Sequence, residues 1–320
     1  MSERLTVTNS SLDAWTNCQT RYKFEVEEGW RHKISAPALS FGTLIHKAQE
    51  NYWRNVQTKA SKEAMLFAAD LAIDAWKTER IDEFKKFAYG TGDVERLLDA
   101  TLDETSKENI ENMCSLARGI MKNYIEKYSD SDKERWEVLG VEERLQYPLK
   151  TPKGNPSSKF DYSGVLDLIL RDKKDDIIYI VDHKTTKETN PQNMQREFAL
   201  KPQPKGYVWL AQQKWPDKPI NFIYDVLRKK LPAQPQPLKT KKDGRLLSIQ
   251  ATDTLFETFK AAIEKYDNSN EAAYADILTK LEGRGDTFLW RYEIFISSRD
   301  LVEWANERWI AARSIGHAKS

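Results

Sequence analysis

Hydrophobic and polar positions along this chain follow two periods, and the period changes near Asp132. Before it, apolar residues recur at helical spacing. Leu12, Trp15, Tyr22 and Phe24 fall on overlapping faces of SLDAWTNCQTRYKFEVEEGW, with Ser10 or Ser11 as the expected N-cap. A second helix is expected to open at Ser40 and run through FGTLIHKAQENYWRNV. Leu66, Ala69, Ile73 and Trp76 mark a third, and Ile110, Met113, Ala117, Ile120 and Tyr124 a fourth. Stripes of this kind read as packed core. Cys114, beside the last stripe, reads as an inert buried thiol.

Beyond Asp132 the chain alternates. WEVLGVEERLQYPL sets Leu139, Val141, Leu145 and Tyr147 on one side of an expected strand. A turn-rich KTPKGNPSSK leads into FDYSGVLDLILRD, and a polar KKDD separates it from the β-branched DIIYIVDHKTT. A helix containing GYVWLAQQKW precedes a further strand, NFIYDVLRKK. LPAQPQPLKTKKDGR is expected to be a loop. From ATDTLFETFK onward the pattern is mostly helical, with FLWRYEIFIS as an intervening strand. No internal repeat and no Walker-type phosphate loop is present, which excludes a nucleotide-driven motor.

Composition narrows the class. Of 320 residues, 40% are hydrophobic and 31% charged, as in globular proteins, and no apolar run approaches the roughly 18 residues of a membrane span. Two cysteines exclude a disulfide framework and fit a reducing cytoplasm; MSERLTVTNS lacks the apolar run of a secretory signal. A net charge of +1 excludes a uniformly basic nucleic-acid coat, so any nucleic-acid contact must come from charge gathered on one face.

The informative chemistry lies in Gly164-Val-Leu-Asp167 and Val181-Asp-His-Lys184. A hairpin turning between Lys174 and Asp175 sets Asp167 directly opposite Asp182, with Cβ atoms about 4.5–5.5 Å apart. Like charges so placed repel, and their neighbours in both strands are apolar; a divalent cation shared by the two carboxylates removes the conflict. Lys184, two residues past Asp182, shares its face, where an ammonium would orient a water or stabilise charge developing on a phosphate. The His183 side chain points the other way, leaving its backbone carbonyl as a ligand. Oxygen-rich, incompletely filled sites suit Mg²⁺ or Mn²⁺, and the chemistry that follows is metal-assisted attack of water on a phosphodiester. The alternative is two surface strands whose acidic and basic residues merely face solvent.

Three further residue sets bear on this site. His46 lies one helical turn past Gly42, which would let the helix start approach another backbone closely. Glu50, at i+4 from His46, is placed to hydrogen-bond it or to support the site from behind. Gln203 and Tyr207 share one side of a helix turn, where they would hold a scissile phosphate or tether the site strands.

Taken in order, SSLDAWTNCQTRYKF, GTLIH, VEERLQYPL, GVLDLI, IVDHKTT and QPKGY resemble the PD-(D/E)XK nuclease superfamily, specifically its RecB-like exonuclease branch with AddB, Cas4 and phage recombination nucleases. The resemblance covers most of residues 9–228. It implies an α/β fold with a restriction-endonuclease-like central mixed β-sheet flanked by helices. In one nuclease domain spanning 1–320, residues of about 58–132 would form a largely helical insertion and 246–320 a mostly helical extension. His46, Asp167, Asp182 and the His183 carbonyl would be metal ligands and Lys184 the catalytic lysine; Gln203 and Tyr207 would match the motif that follows the core. The family's glutamate in the preceding strand aligns best with Glu142, whereas strand alternation puts Glu143 on the apolar side. Neither is assigned. Many branch members carry an iron–sulfur cluster on one early and three late cysteines. Cys18 matches the early position but no cysteine follows Cys114, so no iron–sulfur cluster is expected and a typical Cas4 is disfavoured.

The function so implied is a Mg²⁺- or Mn²⁺-dependent DNA exonuclease of recombination or repair in a bacterial or phage-infected cell. The competing readings are a structure-selective or nicking endonuclease, and a nuclease-fold DNA-binding subunit serving a helicase, a single-strand annealing protein or a CRISPR-adaptation complex. A homo-oligomer is compatible with any of these. For the DNA path, residues 221–245 hold Arg228, Lys229, Lys230, Lys239, Lys241, Lys242 and Arg245 against only Asp225 and Asp243. DNA contact and a merely solvated basic loop are equally compatible with that run. Lys187 lies nearer the proposed chemistry. Trp15, Trp30 and Trp53 are candidates for base stacking, with core packing the stronger expectation.

Overall fold

The computed structural model describes residues 4–30, 37–89, 104–250 and 253–318. Strand β1 (Leu5–Val7) leads into helices α1 (Asn9–Asn17) and α2 (Gln19–Tyr22), followed by the long helices α3 (Pro37–Gln57), α4 (Lys62–Tyr89) and α5 (Glu104–Arg135). Next come β2 (Trp136–Lys150), β3 (Pro156–Asp172), β4 (Ile178–Thr186), α6 (Pro191–Ala199), α7 (Gln203–Lys214) and β5 (Ile220–Arg228). The remainder is β6 (Pro237–Lys242), β7 (Arg245–Leu247), α8 (Phe256–Tyr266), α9 (Ala275–Arg284), β8 (Leu289–Ile294) and α10 (Ser298–Ala318).

Six strands form one mixed sheet. β3 carries antiparallel β2 along one edge, while its other edge is shared: parallel β1 pairs with Phe160–Tyr162 and antiparallel β4 with Leu168–Arg171. Between them, β3 has no described strand partner on that edge, and the sheet opens there. β5 continues parallel to β4, and β8 closes the sheet antiparallel to β5. The mixed sheet flanked by helices is the restriction-endonuclease-like α/β architecture that the motif order implies. Of the expected helical insertion, residues 90–103 lie outside the described residues.

Each face of the sheet has its own core. On one face Leu44, Tyr52, Trp53, Ile73, Ile120 and Tyr124 of α3–α5 pack on Leu168, Leu170, Val181 and Ile223. On the other, Leu210 of α7 and Trp304 and Ile315 of α10 pack on Tyr162, Ile180, Phe222 and Tyr224. The stripes expected on α4 and α5 are the buried ones: Ala69, Ile73 and Trp76, then Ile110, Ala117, Ile120 and Tyr124, with Cys114 buried among them. A third, smaller core joins β7 to α8 and α9 through Leu247, Phe259, Ile263, Tyr274 and Leu281.

Several local expectations are corrected. Thr8, not Ser10 or Ser11, caps α1, in a reciprocal box with Ser11; the cap is displaced because β1 delivers the chain there in extended conformation. The first helix breaks at Cys18, whose extended backbone ends α1 and whose sulfur accepts the Arg21 N–H at the start of α2. α3 begins at Pro37 rather than Ser40, since proline suits a first helical turn whose N–H groups go unpaired. Part of the expected basic loop pairs as the β6–β7 hairpin, turning on Asp243-Gly244 with both residues at positive φ.

The alternation of β2 is the most consequential correction. Leu139, Leu145 and Tyr147 serve the α7–α10 core, but Val141 packs against the α3–α5 core. A bulge between Val138 and Gly140 and a left-handed Glu142 (φ 52°) each shift the side-chain phase. A strict two-residue period cannot register either event.

Candidate active site

The β3–β4 hairpin takes the register read from its sequence, with Leu168 facing Val181 and Arg171 facing Ile178. The ladder stops one residue short of Asp167 and Asp182. There Asp167 Oδ2 accepts the His183 N–H at 2.9 Å, so a carboxylate substitutes for the next strand hydrogen bond. The loss of pairing that opens the sheet therefore also turns Asp167 toward the start of the His183 peptide.

Two residues of α3 and β2 complete this corner. His46 Nε2 lies 2.9 Å from the His183 carbonyl oxygen, and its Nδ1 lies 3.5 Å from Asp167 Oδ2. Glu142 stands across β2 from Asp167, its neighbours Val141 and Glu143 pairing with Leu168 and Leu166. Ligand atoms of His46, Glu142 and Asp167 all lie within 4.8 Å of one another. Glu143, the alternative from strand alternation, instead pairs with Lys214 of α7. Of the two glutamates that the sequence leaves unassigned, motif alignment is the signal that finds Glu142; its positive φ is invisible to periodicity.

Asp182 lies outside that triad and is clamped to Lys184, its neighbour on the same face of β4. Lys184 Nζ is 3.4 Å from Gln203 Oε1, and Gln203 Nε2 donates to the Tyr207 hydroxyl at 2.9 Å. Close helix–strand packing makes this reach possible. A Cβ on Gly164 of β3 would come 3.0 Å from both Tyr207 and Leu210, and one on Gly206 of α7 would collide with the Tyr162 hydroxyl and Trp304. Gly42 has no such demand, since a Cβ there meets only Thr185 Oγ1 at 3.8 Å, an ordinary contact. Glu50 does not hydrogen-bond His46; it pairs with Arg54 one turn on, at 2.8 Å.

Electrostatically the corner is short of positive charge. Burial raises Asp182 to about 6 from its ordinary 3.8, Lys184 pulling it down and Asp167 pushing it further up. Glu142 rises to about 7 through burial, then repulsion from Asp167 and Glu50. His46 moves the opposite way, its pKa lowered chiefly by burial and only partly restored by Asp167. Carboxylates made reluctant to ionise, beside an imidazole biased toward its neutral form, are a donor set that suits a hard cation. Imidazole, carboxylates and a peptide carbonyl suit a divalent ion that keeps some water, as Mg²⁺ and Mn²⁺ do.

A family model of the PD-(D/E)XK nuclease superfamily matches residues 6–281. The chain belongs to that superfamily. Its members are metal-dependent nucleases, in keeping with the carboxylate–histidine group here. No curated protein matches the chain. None of the described helices is long and apolar enough to cross a membrane.

Outside this corner, the basic run is only partly available to a polyanion. Arg228 is buried and bidentate with Asp253, at 2.5 and 2.9 Å; Lys230 joins the same carboxylate at 2.7 Å, and Arg245 pairs with Asp243 at 3.2 Å. Lys239 and Lys242 are exposed, while the Lys241 side chain lies outside the described residues. Lys187 is exposed just past β4. It neighbours half-buried Lys229, whose pKa is lowered by burial and then by that like charge. Of the three tryptophans, Trp53 is buried and Trp15 packs partly into the core, whereas Trp30 is exposed and stacks on Phe24 at 4.9 Å.

Proposed function

We propose that this protein is a Mg²⁺- or Mn²⁺-dependent DNA exonuclease of recombination or repair, of the RecB-like branch, leaving 5′-phosphate and 3′-hydroxyl ends. The observation that carries the reading is the meeting of His46, Asp167 and the His183 carbonyl beside an Asp182–Lys184 pair. In this reading His46, Asp167, Asp182 and the His183 carbonyl hold the cation, with Glu142 added by its place in the triad. Bound there, a divalent ion supplies Lewis acidity toward a phosphate oxygen and lowers the pKa of water. Lys184 presents its ammonium where negative charge develops on the phosphate. Gln203, itself bonded to Tyr207, gives that ammonium a second, longer contact beside Asp182, and Glu50 holds Arg54 at the rim of the acidic group. Lys187, with Lys229 beside it, lies along the outgoing DNA backbone.

The test compares linear and closed-circular DNA with Mg²⁺, Mn²⁺ or EDTA, beside Asp182→Ala and Lys184→Ala. Metal-dependent nucleotide release from linear DNA alone, falling about 10³-fold in either variant, is the expected result. Cutting of closed circles would replace the exonuclease by an endonuclease. DNA binding without nucleotide release, unaltered in both variants, would leave a binding subunit that works through a partner.

A further inference from the structure

Behind the site runs a row of buried polar residues that the proposed chemistry does not touch. His183 of β4, Asp225 of β5 and Arg291 of β8 are direct register neighbours across three strands, on the sheet face covered by α3 and α5. His183 Nδ1 lies 3.2 Å from Asp225 Oδ2, and Arg291 Nε donates to Asp225 Oδ1 at 3.2 Å. Two helices close over the row. Gln49 of α3 donates to Asp225 at 3.3 Å, and the Tyr124 hydroxyl of α5 donates to the same carboxylate. Arg291 continues to Asp132 of α5 through two bonds of 2.6 and 2.9 Å, and Tyr52 of α3 donates to Asp132 at 2.7 Å. Asp132, His183 and Asp225 are all at most 2% exposed.

A buried ionic row of this kind is a poor way to gain stability, since desolvation consumes most of its Coulombic gain and apolar replacements often do as well. What it supplies is geometry. The His183 ring is anchored on one side of β4 while its carbonyl faces His46 and its N–H bonds Asp167. The same row fixes α3 through Gln49 and Tyr52, one and two turns beyond His46 on that helix. Both partners of the 2.9 Å His46–His183 contact are thus held from behind by one network.

We infer that Asp225 is a positioning residue: acting through the His183 imidazole and through Gln49, it sets the His183 peptide and His46 at the spacing a shared divalent ion requires. The inference rests on the nuclease reading and deepens it. Asp225 touches neither substrate nor ion, so its effect is read in ion affinity, which a merely structural residue leaves unchanged.

The experiment titrates Mn²⁺ into the full chain, following free Mn²⁺ by electron paramagnetic resonance, with a urea melt of each protein. Asp225→Asn keeps the shape of the side chain, and Ile120→Ala destabilises the same core without removing a member of the row. Asp225→Asn is expected to weaken Mn²⁺ binding about 10–100-fold, and excess Mn²⁺ to restore its cleavage rate. Ile120→Ala should melt earlier yet bind Mn²⁺ within about twofold of the parent. His183→Gln removes the imidazole and leaves the carbonyl, so it should reproduce the weakened binding even if Asp225→Asn does not fold. Parent-like Mn²⁺ affinity in a folded Asp225→Asn or His183→Gln protein, or an equal loss in Ile120→Ala, overturns the positioning role. A parent chain that binds no Mn²⁺ overturns the proposed function and this inference together.

Discussion

Asp182 and Asp225 lie on adjacent strands, and each is almost wholly withdrawn from water, at 1% and 0% exposure. Burial pushes both upward, yet they end at opposite extremes. Asp225 is brought down to about 2 by Arg291, His183 and the Tyr124 hydroxyl, which together outweigh its desolvation. Asp182 has one ammonium partner and an acidic neighbour, and it rises to about 6. Depth therefore does not decide how readily a buried carboxylate ionises. Partnership does: Asp225 meets an arginine, a histidine and a tyrosine hydroxyl, while Asp182 meets one ammonium and a second carboxylate.

The comparison breaks most visibly under substitution. Arg291→Met leaves two buried carboxylates without their cation and should cost about 3–5 kcal/mol in urea denaturation. Asp182→Asn relieves repulsion, so it should leave the metal-free protein as stable or more stable while abolishing cleavage. Equal destabilisation by the two changes would erase the distinction between the faces.

Acidity gives the next largest effect, with opposite signs on the two faces. For Asp182 the folded value lies above the ordinary 3.8, so the folded state binds the proton more tightly. Its contribution is fully present below pH 4 and is lost as pH rises toward 6, on the order of 2–3 kcal/mol. For Asp225 the folded value is depressed, so its contribution is present above pH 4 and is lost as pH falls through about 2. Melts in EDTA between pH 4 and 7 should show the decline, Asp182→Asn should lessen it and leave the share of Glu142, whose folded value is also raised, and Mn²⁺ should reverse it. A flat parent profile would mean that the carboxylates of the site are already satisfied.

The smallest effect concerns how α7 reaches the site. Gly206→Ala places a methyl group against the Tyr162 hydroxyl and Trp304, which should cost about 1 kcal/mol and draw Gln203 away from Lys184. Cleavage should fall several-fold with Mn²⁺ affinity unchanged. Unchanged cleavage would make the Gln203–Tyr207 pair a structural tether rather than a support for Lys184.

Much of the candidate site's layout was legible because its parts are local. The Lys174–Asp175 turn fixes the register of the β3–β4 hairpin, and a two-residue period fixes Asp182 and Lys184 on one face. Lys184, Gln203 and Tyr207 could be grouped by motif and are joined by hydrogen bonds. Glu142 could not be chosen by alternation, because its left-handed backbone follows a bulge and neither obeys a period. Glu50 was placed by i+4 spacing, but Arg54 at the same spacing on its other side takes it. The basic run left DNA contact and a solvated loop equally open because Asp253, which pairs with Arg228 and Lys230, lies beyond the run.

By itself the sequence determined the helical stripes and the acidic–basic set carried on the β3–β4 hairpin, since short-range spacing dictates both, while the mixed α/β architecture came from the resemblance its ordered motifs carry. Only the tertiary structure decided that β1 and β4 divide one edge of β3, that Glu142 turns toward Asp167, and that Asp225 and Arg291 stand behind His183. Apart from the local β3–β4 hairpin, those relations join residues from 25 to more than 150 positions apart, through strand order and helix packing, and chain periodicity carries no information about which distant elements become neighbours.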